Sequence, residues 1–195
     1  MTNIVVPEKV RVWKIGDGQA NVRSSNHYTN QKGYNLFCTM NRKYLTYVDV
    51  NFGFNAGFKA QGDHKTHFRL PDGKEREILS GERVALGIGG SPSFVKYAHR
   101  TVGPNLKYYD QPGDDGFQWV IFGADSELGR PIPENSPVAL VNAKVEPSPD
   151  FLVYFKRPAG ADIGWTTSQG WWDQIVDWAE KHAVEAAIAA IKAYL

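Results

Sequence analysis

A five-residue pattern of the chain, Lys43-Tyr44-Leu45-Thr46-Tyr47, returns as Ser93-Phe94-Val95-Lys96-Tyr97 and again as Asp150-Phe151-Leu152-Val153-Tyr154. The last tyrosines of the three copies lie 50 and then 57 residues apart. Self-similarity at a period of this length is the signature of an architecture built from one recurring unit. The pattern therefore predicts three copies of one β unit.

Further positions recur at the same offsets from each tyrosine, which strengthens the repeat. They are the glycines Gly53, Gly103 and Gly160, then Asn55, Asn105 and Asp162, then the aromatic residues Phe58, Tyr108 and Trp165. Upstream, apolar segments echo one another at 34–36, 84–86 and 138–140, and at 13–15 (Trp-Lys-Ile), 68–70 (Phe-Arg-Leu) and 119–121 (Trp-Val-Ile). Each unit thus offers four short apolar segments between turn residues, and the sequence predicts twelve short strands.

Three four-stranded units that cannot bury their apolar faces alone must close around a shared core. This pattern resembles the β-trefoil superfamily, whose fascin-type and fibroblast-growth-factor-type members have a strand similar to Lys43-Tyr44-Leu45. The resemblance implies an all-β domain over residues 1–168, a β-trefoil of three four-stranded repeats. The ricin-B class of trefoils carries Gln-x-Trp near the end of each repeat. Here Gln169-Gly170-Trp171 matches that motif but falls outside the repeats.

The pattern changes at residues 169–195, which are predicted to form an amphipathic α-helix. No glycine or proline occurs from Trp171 to Leu195. The tryptophan face of this helix is suited to docking on the β domain, whereas a second apolar stripe needs another surface. That stripe consists of Val184, Ile188, Ile191 and Leu195. Four acids against two lysines favour a protein partner or a second copy of the chain over a membrane.

Composition excludes several classes of protein. The 22 basic and 21 acidic residues nearly cancel, so no positive field attracts nucleic acid, and we expect no nucleic-acid partner. Cys38 is the single cysteine, which rules out an intramolecular disulfide framework, and its apolar neighbours predict a core position. The N-terminus lacks a signal-peptide pattern, so we expect a cytoplasmic protein or one exported without an ordinary leader.

Alternation within the strands indicates which repeated positions face solvent. In the segment 105–109, Leu106 and Tyr108 share one face, and Asn105, Lys107 and Tyr109 share the other. By the same reasoning we expect the aromatics Phe58, Tyr108 and Trp165 to lie in or plug the core, and Asn55, Asn105 and Asp162 to face outward.

Two interpretations of Asn55, Asn105 and Asp162 remain open at this point. Asn and Asp are common turn residues, so these three can serve only the chain reversal after each glycine. Alternatively, together with Tyr109, Arg100 and Arg157, they form shallow polar pockets that bind sugar. Sugar hydroxyls need amide or carboxylate partners, and the apolar face of a pyranose needs an aromatic ring.

No constellation for catalysis, metal binding or cofactor binding emerges from the sequence. His64 and His67 are three residues apart but have no third ligand nearby in the sequence. The glycines at 87–90 are followed by Pro92 and a further strand instead of the helix of a phosphate-binding loop, and no Gly-x-Ser-x-Gly elbow occurs. We therefore predict a protein that is not an enzyme and holds no metal or cofactor.

The leading hypothesis from the sequence is a non-enzymatic, lectin-like recognition module that binds carbohydrate. A first alternative is a toxin or defence-like protein whose trefoil binds a receptor and whose tryptophan-rich helix engages a membrane or a second component. A second alternative is an intracellular scaffold or inhibitor, assembled through the helix.

Overall fold

The computed structural model describes residues 6–26, 33–50, 53–89, 94–100, 103–113, 116–124, 128–145, 150–157 and 159–166. These residues form twelve β-strands and one short 3₁₀ helix, Glu8–Val10, with no α-helix among them. The strands are β1 (Trp13–Ile15), β2 (Leu36–Cys38), β3 (Lys43–Thr46), β4 (Gly57–Lys59), β5 (His67–Arg69), β6 (Glu82–Gly87), β7 (Phe94–Tyr97), β8 (Leu106–Tyr109), β9 (Trp119–Phe122), β10 (Pro137–Asn142), β11 (Asp150–Tyr154) and β12 (Ile163–Thr166). The predicted all-β class and the twelve strands are confirmed.

The predicted C-terminal helix lies outside the described residues, together with its stripe of Val184, Ile188, Ile191 and Leu195. The proposed division between residues 1–168 and 169–195 falls there as well. Within the described ranges, no helix has the length and apolar character needed to cross a membrane.

Every strand pairs antiparallel with its neighbour inside its own four-stranded unit. In the first unit β1 pairs with β2, β2 with β3 and β3 with β4. The second unit repeats this order in β5 to β8, and the third repeats it in β9 to β12. The units found from the tyrosine repeat are therefore also units of strand pairing.

Pairs between units join six of the strands into a closed ring. β10 pairs with β1, and β6 pairs with β9. An isolated bridge between Tyr34 and Thr66 joins the first unit to the second just before β2 and β5. The ring thus runs β1, β2, β5, β6, β9, β10 and back to β1, while the other six strands form the hairpins β3–β4, β7–β8 and β11–β12. Five of the six junctions of the ring are strand pairs, and the sixth, between β2 and β5, is the single bridge of Tyr34 and Thr66.

A triangle of backbone hydrogen bonds links the three units. Val22 N–H donates to the carbonyl of Ile132 at 2.8 Å, Ile78 N–H to Val22 at 2.9 Å, and Ile132 N–H to Ile78 at 3.1 Å. The three side chains are fully buried in the core. One residue from each unit therefore takes the same part in a cyclic arrangement.

Strand register corrects the alignment of the second unit with the other two. Phe68 lies opposite Leu86, as Ile15 lies opposite Leu36 and Ile121 opposite Leu140. Phe68 is thus the counterpart of the two isoleucines. The sequence pattern had aligned it with the two tryptophans, and that alignment is wrong. The counterpart of Trp13 and Trp119 is the buried Thr66, two residues earlier.

The two tryptophans of the ring strands hold the hairpins by matching hydrogen bonds. Trp13 Nε1 donates to the carbonyl of Leu152 at 2.6 Å, and Trp119 Nε1 donates to that of Val95 at 2.7 Å. Both rings are completely buried, so each indole N–H needs such a partner. Cys38 lies in the same core, as predicted, and burial raises the pKa of its thiol.

Candidate functional site

The three hairpin loops each contain one of the repeated glycines, three or four residues before the second strand of the hairpin. Gly53, Gly103 and Gly160 have φ angles of 97°, 89° and 81°. Residues other than glycine rarely adopt this left-handed backbone conformation. They occupy the same place in the β3–β4, β7–β8 and β11–β12 connections. The first two loops also touch, because a Cβ added to Gly103 would lie 3.5 Å from the Cα of Gly53.

Asn55, Asn105 and Asp162 close these loops through one shared contact. The Oδ1 atom of each accepts the N–H of the residue five positions earlier, Val50 at 3.4 Å, Arg100 at 3.1 Å and Arg157 at 3.0 Å. The three side chains are half-buried, so each remains partly accessible while its Oδ1 atom is engaged within the loop. The turn-forming interpretation is supported in all three units.

The amide groups of the two asparagines reach the repeated tyrosines. Asn55 Nδ2 donates to the Tyr47 hydroxyl at 3.0 Å and to Asp49 Oδ1 at 3.2 Å. Asn105 Nδ2 donates to the Tyr97 hydroxyl at 3.5 Å. A tyrosine hydroxyl is thus the neighbour of the amide in the first two loops.

Arg100 and Arg157 lie beside their loop residues, as predicted, but their guanidinium groups also tie down the backbone. Arg100 Nη1 donates to the carbonyl of Leu106 at 3.1 Å, and Arg157 Nε donates to that of Ile163 at 2.7 Å. Both accepting residues begin the second strand of their hairpin. Each arginine therefore helps to hold the end of its loop against the hairpin.

Tyr109 does not join the loop of Asn105, which corrects the predicted pocket. Four residues of extended strand separate them, a distance of roughly 13 Å. Tyr109 instead pairs across the hairpin with Phe94, and the Lys96 ammonium lies 4.2 Å from the centre of its ring. The prediction that Tyr109 is exposed on the face opposite Tyr108 is confirmed.

Six aromatic rings pack in pairs beneath the three loops, each pair joining two units. The ring centres of Phe58 and Tyr154 are 5.5 Å apart, those of Tyr108 and Tyr47 5.8 Å, and those of Trp165 and Tyr97 6.4 Å. Phe58, Tyr108 and Trp165 pack against the core, as predicted. Because every pair crosses a boundary between units, this packing fixes the three loops relative to one another.

Tyr108 also ties the second unit to the first loop through its hydroxyl. This group donates to the carbonyl of Asn55 at 3.1 Å. Burial raises the pKa of Tyr108, and the nearby Tyr47 and Asp63 raise it further. The hydroxyl therefore stays protonated and keeps this hydrogen bond at physiological pH.

The first loop differs from the other two in what it exposes. Tyr47 is 41% exposed, whereas Tyr97 and Tyr154 are half-buried. Asp49 is exposed and shares the Asn55 amide with Tyr47. An aromatic ring, an amide and a carboxylate are thus contiguous at the surface. Sequence reasoning treated Tyr47 only as a marker of the repeat and missed Asp49, although an acid two residues after this tyrosine was a visible signal.

A separate cleft of about 430 Å³ lies between the turn after β5 and the start of β6. Its apolar wall includes Leu70, Leu79 and Leu128, and its rim carries Arg76 and Glu82. Arg76 forms a bidentate ion pair with Glu82, with contacts of 2.6 Å and 2.9 Å. The two charges at the rim of the cleft therefore neutralise each other.

The histidine pair shows no metal-binding geometry. His67 is buried at the start of β5, with its ring 5.1 Å from that of Phe94, whereas the His64 ring contacts the Asn35 amide at 3.3 Å. In the part of the chain that the structure describes, no group of three or more His, Cys, Asp or Glu side chains is placed to hold a metal ion.

No protein-family model, no curated protein and no solved structure matches this chain.

Proposed function

We propose that the chain folds as a β-trefoil and works as a non-enzymatic recognition module that binds carbohydrate. The closed ring of six strands, the three hairpins outside it and the hydrogen-bonded triangle of Val22, Ile78 and Ile132 support the trefoil. A closed scaffold with loops held by cross-unit aromatic pairs favours binding, because recognition residues are often on loops that a rigid framework positions.

The first hairpin loop carries the carbohydrate proposal. Its single supporting observation is the contiguous surface of Tyr47, Asn55 and Asp49, in which a tyrosine ring and a carboxylate are both exposed. The apolar face of a pyranose stacks on such a ring, and its hydroxyls donate to the carboxylate. The charge of Asp49 repels anionic sugars, so the ligand we expect is a neutral glycan.

The third loop offers a weaker version of the same chemistry. Phe155 is 54% exposed, and the Arg157 guanidinium lies 5.5 Å from the centre of its ring. Asp162 accepts the Arg157 N–H and so holds this pair in place. In the second loop, Asn105 and Arg100 hold the backbone while Tyr97 is half-buried. We therefore assign the main site to the first loop and a lesser one to the third.

A glycan array probed with the intact chain tests this function. Binding to a defined set of neutral glycans is the expected result. Absence of binding to every neutral glycan on the array would overturn the proposal. Liposome leakage, run in parallel, separates this function from the toxin or defence-like alternative, since only the latter releases the contents of the vesicles.

Paired variants then test the assignment to the first loop. Asp49→Ala should weaken binding of the selected glycan by about tenfold or more, because a hydrogen bond to a charged group contributes about 1.5 to 3 kcal/mol. Asp110→Ala removes another exposed aspartate, directly after β8, and should leave affinity unchanged. Equal losses in the two variants would place the binding site elsewhere.

A further inference from the structure

The outward faces of the three units can be compared position by position, because strand register defines one equivalent row of side chains in each. The row of the first unit is Lys14, Phe37, Tyr44 and Lys59, one residue from each of four adjacent strands. The corresponding rows are His67, Gly87, Phe94 and Tyr109 in the second unit, and Val120, Val141, Phe151 and Thr166 in the third.

Segments of the chain cover the rows of the second and third units. In the third unit Val141 and Phe151 are fully buried, and the 3₁₀ helix Glu8–Val10 lies against β11. In the second unit His67 and Phe94 are 3% and 2% exposed, and the Arg69 guanidinium lies 5.1 Å from the centre of the Phe94 ring. The central side chains of these two rows are therefore covered by the protein itself, although Tyr109, at the end of the second row, is 38% exposed.

The row of the first unit remains accessible. Lys59 is exposed, and Lys14, Phe37 and Tyr44 are half-buried. The rings of Phe37 and Tyr44 meet edge to face with their centres 5.1 Å apart. Met40, in the turn that joins these two strands, is 54% exposed and extends the apolar surface.

The two lysines at the ends of the row give this surface a positive character. Neither Lys14 nor Lys59 forms an ion pair within the described part of the chain. The acids at the other end of β1 are already engaged, since Asp17 accepts from the Asn35 amide and Glu134 from the Gly18 N–H. The surface therefore complements a ligand that carries negative charge.

From this juxtaposition we infer that the row of Lys14, Phe37, Tyr44 and Lys59 binds an anionic polysaccharide. Three strand spacings place the two lysine Cα atoms about 14 Å apart, with both aromatic rings between them. Carboxylate or sulfate groups of the polysaccharide pair with the lysines, and the sugar rings between those groups pack on Phe37 and Tyr44. This site is distinct from the loop of Tyr47 and Asp49, whose charge selects neutral glycans.

Charge also discriminates between a polysaccharide and nucleic acid. Basic side chains interleaved with aromatic rings suit single strands of DNA or RNA, but such sites follow the backbone with a continuous track of positive charge. Here two lysines flank the rings, and the whole chain carries a net charge of +1. Sparse anionic groups on a sugar polymer fit this arrangement better than a phosphate at every residue.

The test measures binding of the intact chain to immobilised dextran sulfate and polygalacturonate, with neutral dextran and a thymidine oligonucleotide as comparisons. Binding to at least one of the two anionic polysaccharides should be tighter than binding to neutral dextran, and added salt should weaken it. The two polymers distinguish sulfate from carboxylate recognition. Absence of binding to both, or tighter binding of the oligonucleotide, would overturn the inference.

Two double variants with the same net charge locate the site. Lys14→Gln/Lys59→Gln should weaken polysaccharide binding by about tenfold. Lys107→Gln/Lys156→Gln, which removes two exposed lysines outside the row, should change it less than about twofold. Equal losses would mean that net charge alone drives binding. Three of the four lysines are exposed and Lys14 is half-buried, so thermal unfolding of both variants should stay close to that of the wild-type chain.

Discussion

At the scale of single residues, one atom explains how the repeat tolerates a change of residue type. Asn55, Asn105 and Asp162 each use Oδ1 to accept a loop N–H, and this atom is common to asparagine and aspartate. The second Asn function, the Nδ2 donor, reaches a tyrosine in the first two loops and has no counterpart in Asp162. The loop backbone is therefore preserved while the surface chemistry of the loops differs.

Replacing Asn105 tests the role of this oxygen. Asn105→Ala removes the acceptor of the Arg100 N–H and should lower the free energy of unfolding by about 1 kcal/mol. Asn105→Asp keeps an acceptor at the same place, as Asp162 does, and should recover most of that loss. Urea denaturation of the two variants measures the difference. An aspartate variant as unstable as the alanine variant would contradict the shared role.

His67 predicts how stability depends on pH. Burial, with a smaller contribution from Arg69, lowers its pKa from 6.5 to about 4. The unfolded chain therefore binds a proton that the folded chain does not, and stability is lost as the pH falls from about 6.5 towards 4. The loss from this residue should reach about 3 kcal/mol at 1.36 kcal/mol per pKa unit.

Denaturation at pH 7 and pH 5 measures this effect, with His67→Gln as the variant that does not titrate. The wild-type chain should lose more free energy of unfolding between the two pH values than the variant does, even if the glutamine lowers stability at both. The same pH dependence in both proteins would show that His67 is not the titrating group.

At the scale of elements, each hairpin depends on a backbone conformation that glycine supplies. Gly53, Gly103 and Gly160 all have positive φ angles in equivalent connections. Sequence reasoning predicted these loops because the glycines keep a constant offset from the tyrosines. It placed Tyr109 wrongly, since alternation predicts which face a residue occupies but not how far along the strand its neighbours lie.

Substitution of Gly103 tests the hairpin geometry. Gly103→Ala places a Cβ at a φ angle of 89° and should cost about 1 to 2 kcal/mol of stability. Gly123→Ala is the matched control, because Gly123 has no positive φ angle and a Cβ there meets its neighbours at 3.7 Å or more. Thermal unfolding should separate the two variants. Equal stabilities would argue against a strained loop at Gly103.

The C-terminal prediction belongs to this scale and derives from the sequence alone. Changing Ile188 and Ile191 to Glu places two charges in the predicted apolar stripe. If that stripe meets a protein partner or a second copy, the double variant should elute later on size exclusion than the wild-type chain and unfold at the same temperature. Unfolding of the variant would instead indicate that the stripe packs inside its own chain.

At the scale of the whole molecule, the repeat allowed much of the fold to be predicted. The tyrosine period located all three units, and the apolar segments located their strands, because side chains that share a core recur with the unit. The alignment of the second unit was wrong by two residues, since Phe68 resembles a tryptophan in type while strand register gives the tryptophan position to Thr66. Residue type gave the wrong alignment, because the pairing of the strands determines which residues are equivalent.

Two features of the whole molecule had no readable signal in the sequence. The triangle of Val22, Ile78 and Ile132 is built from backbone groups, which every residue except proline carries in full, so its members do not stand out. The row of the first unit stands out because the 3₁₀ helix lies against β11 in the third unit and Arg69 lies over Phe94 in the second. Such coverage depends on tertiary packing.

Amide chemical-shift mapping by NMR, during titration with the glycan selected on the array, reports both the place of binding and the fate of the ligand in one sample. We expect the largest shifts at Tyr47, Asp49 and Val50, and we expect the glycan resonances to stay unchanged in number and coupling during prolonged incubation. Shifts centred on the cleft of Leu70 and Arg76, or the appearance of glycan cleavage products, would contradict recognition without catalysis at the first loop.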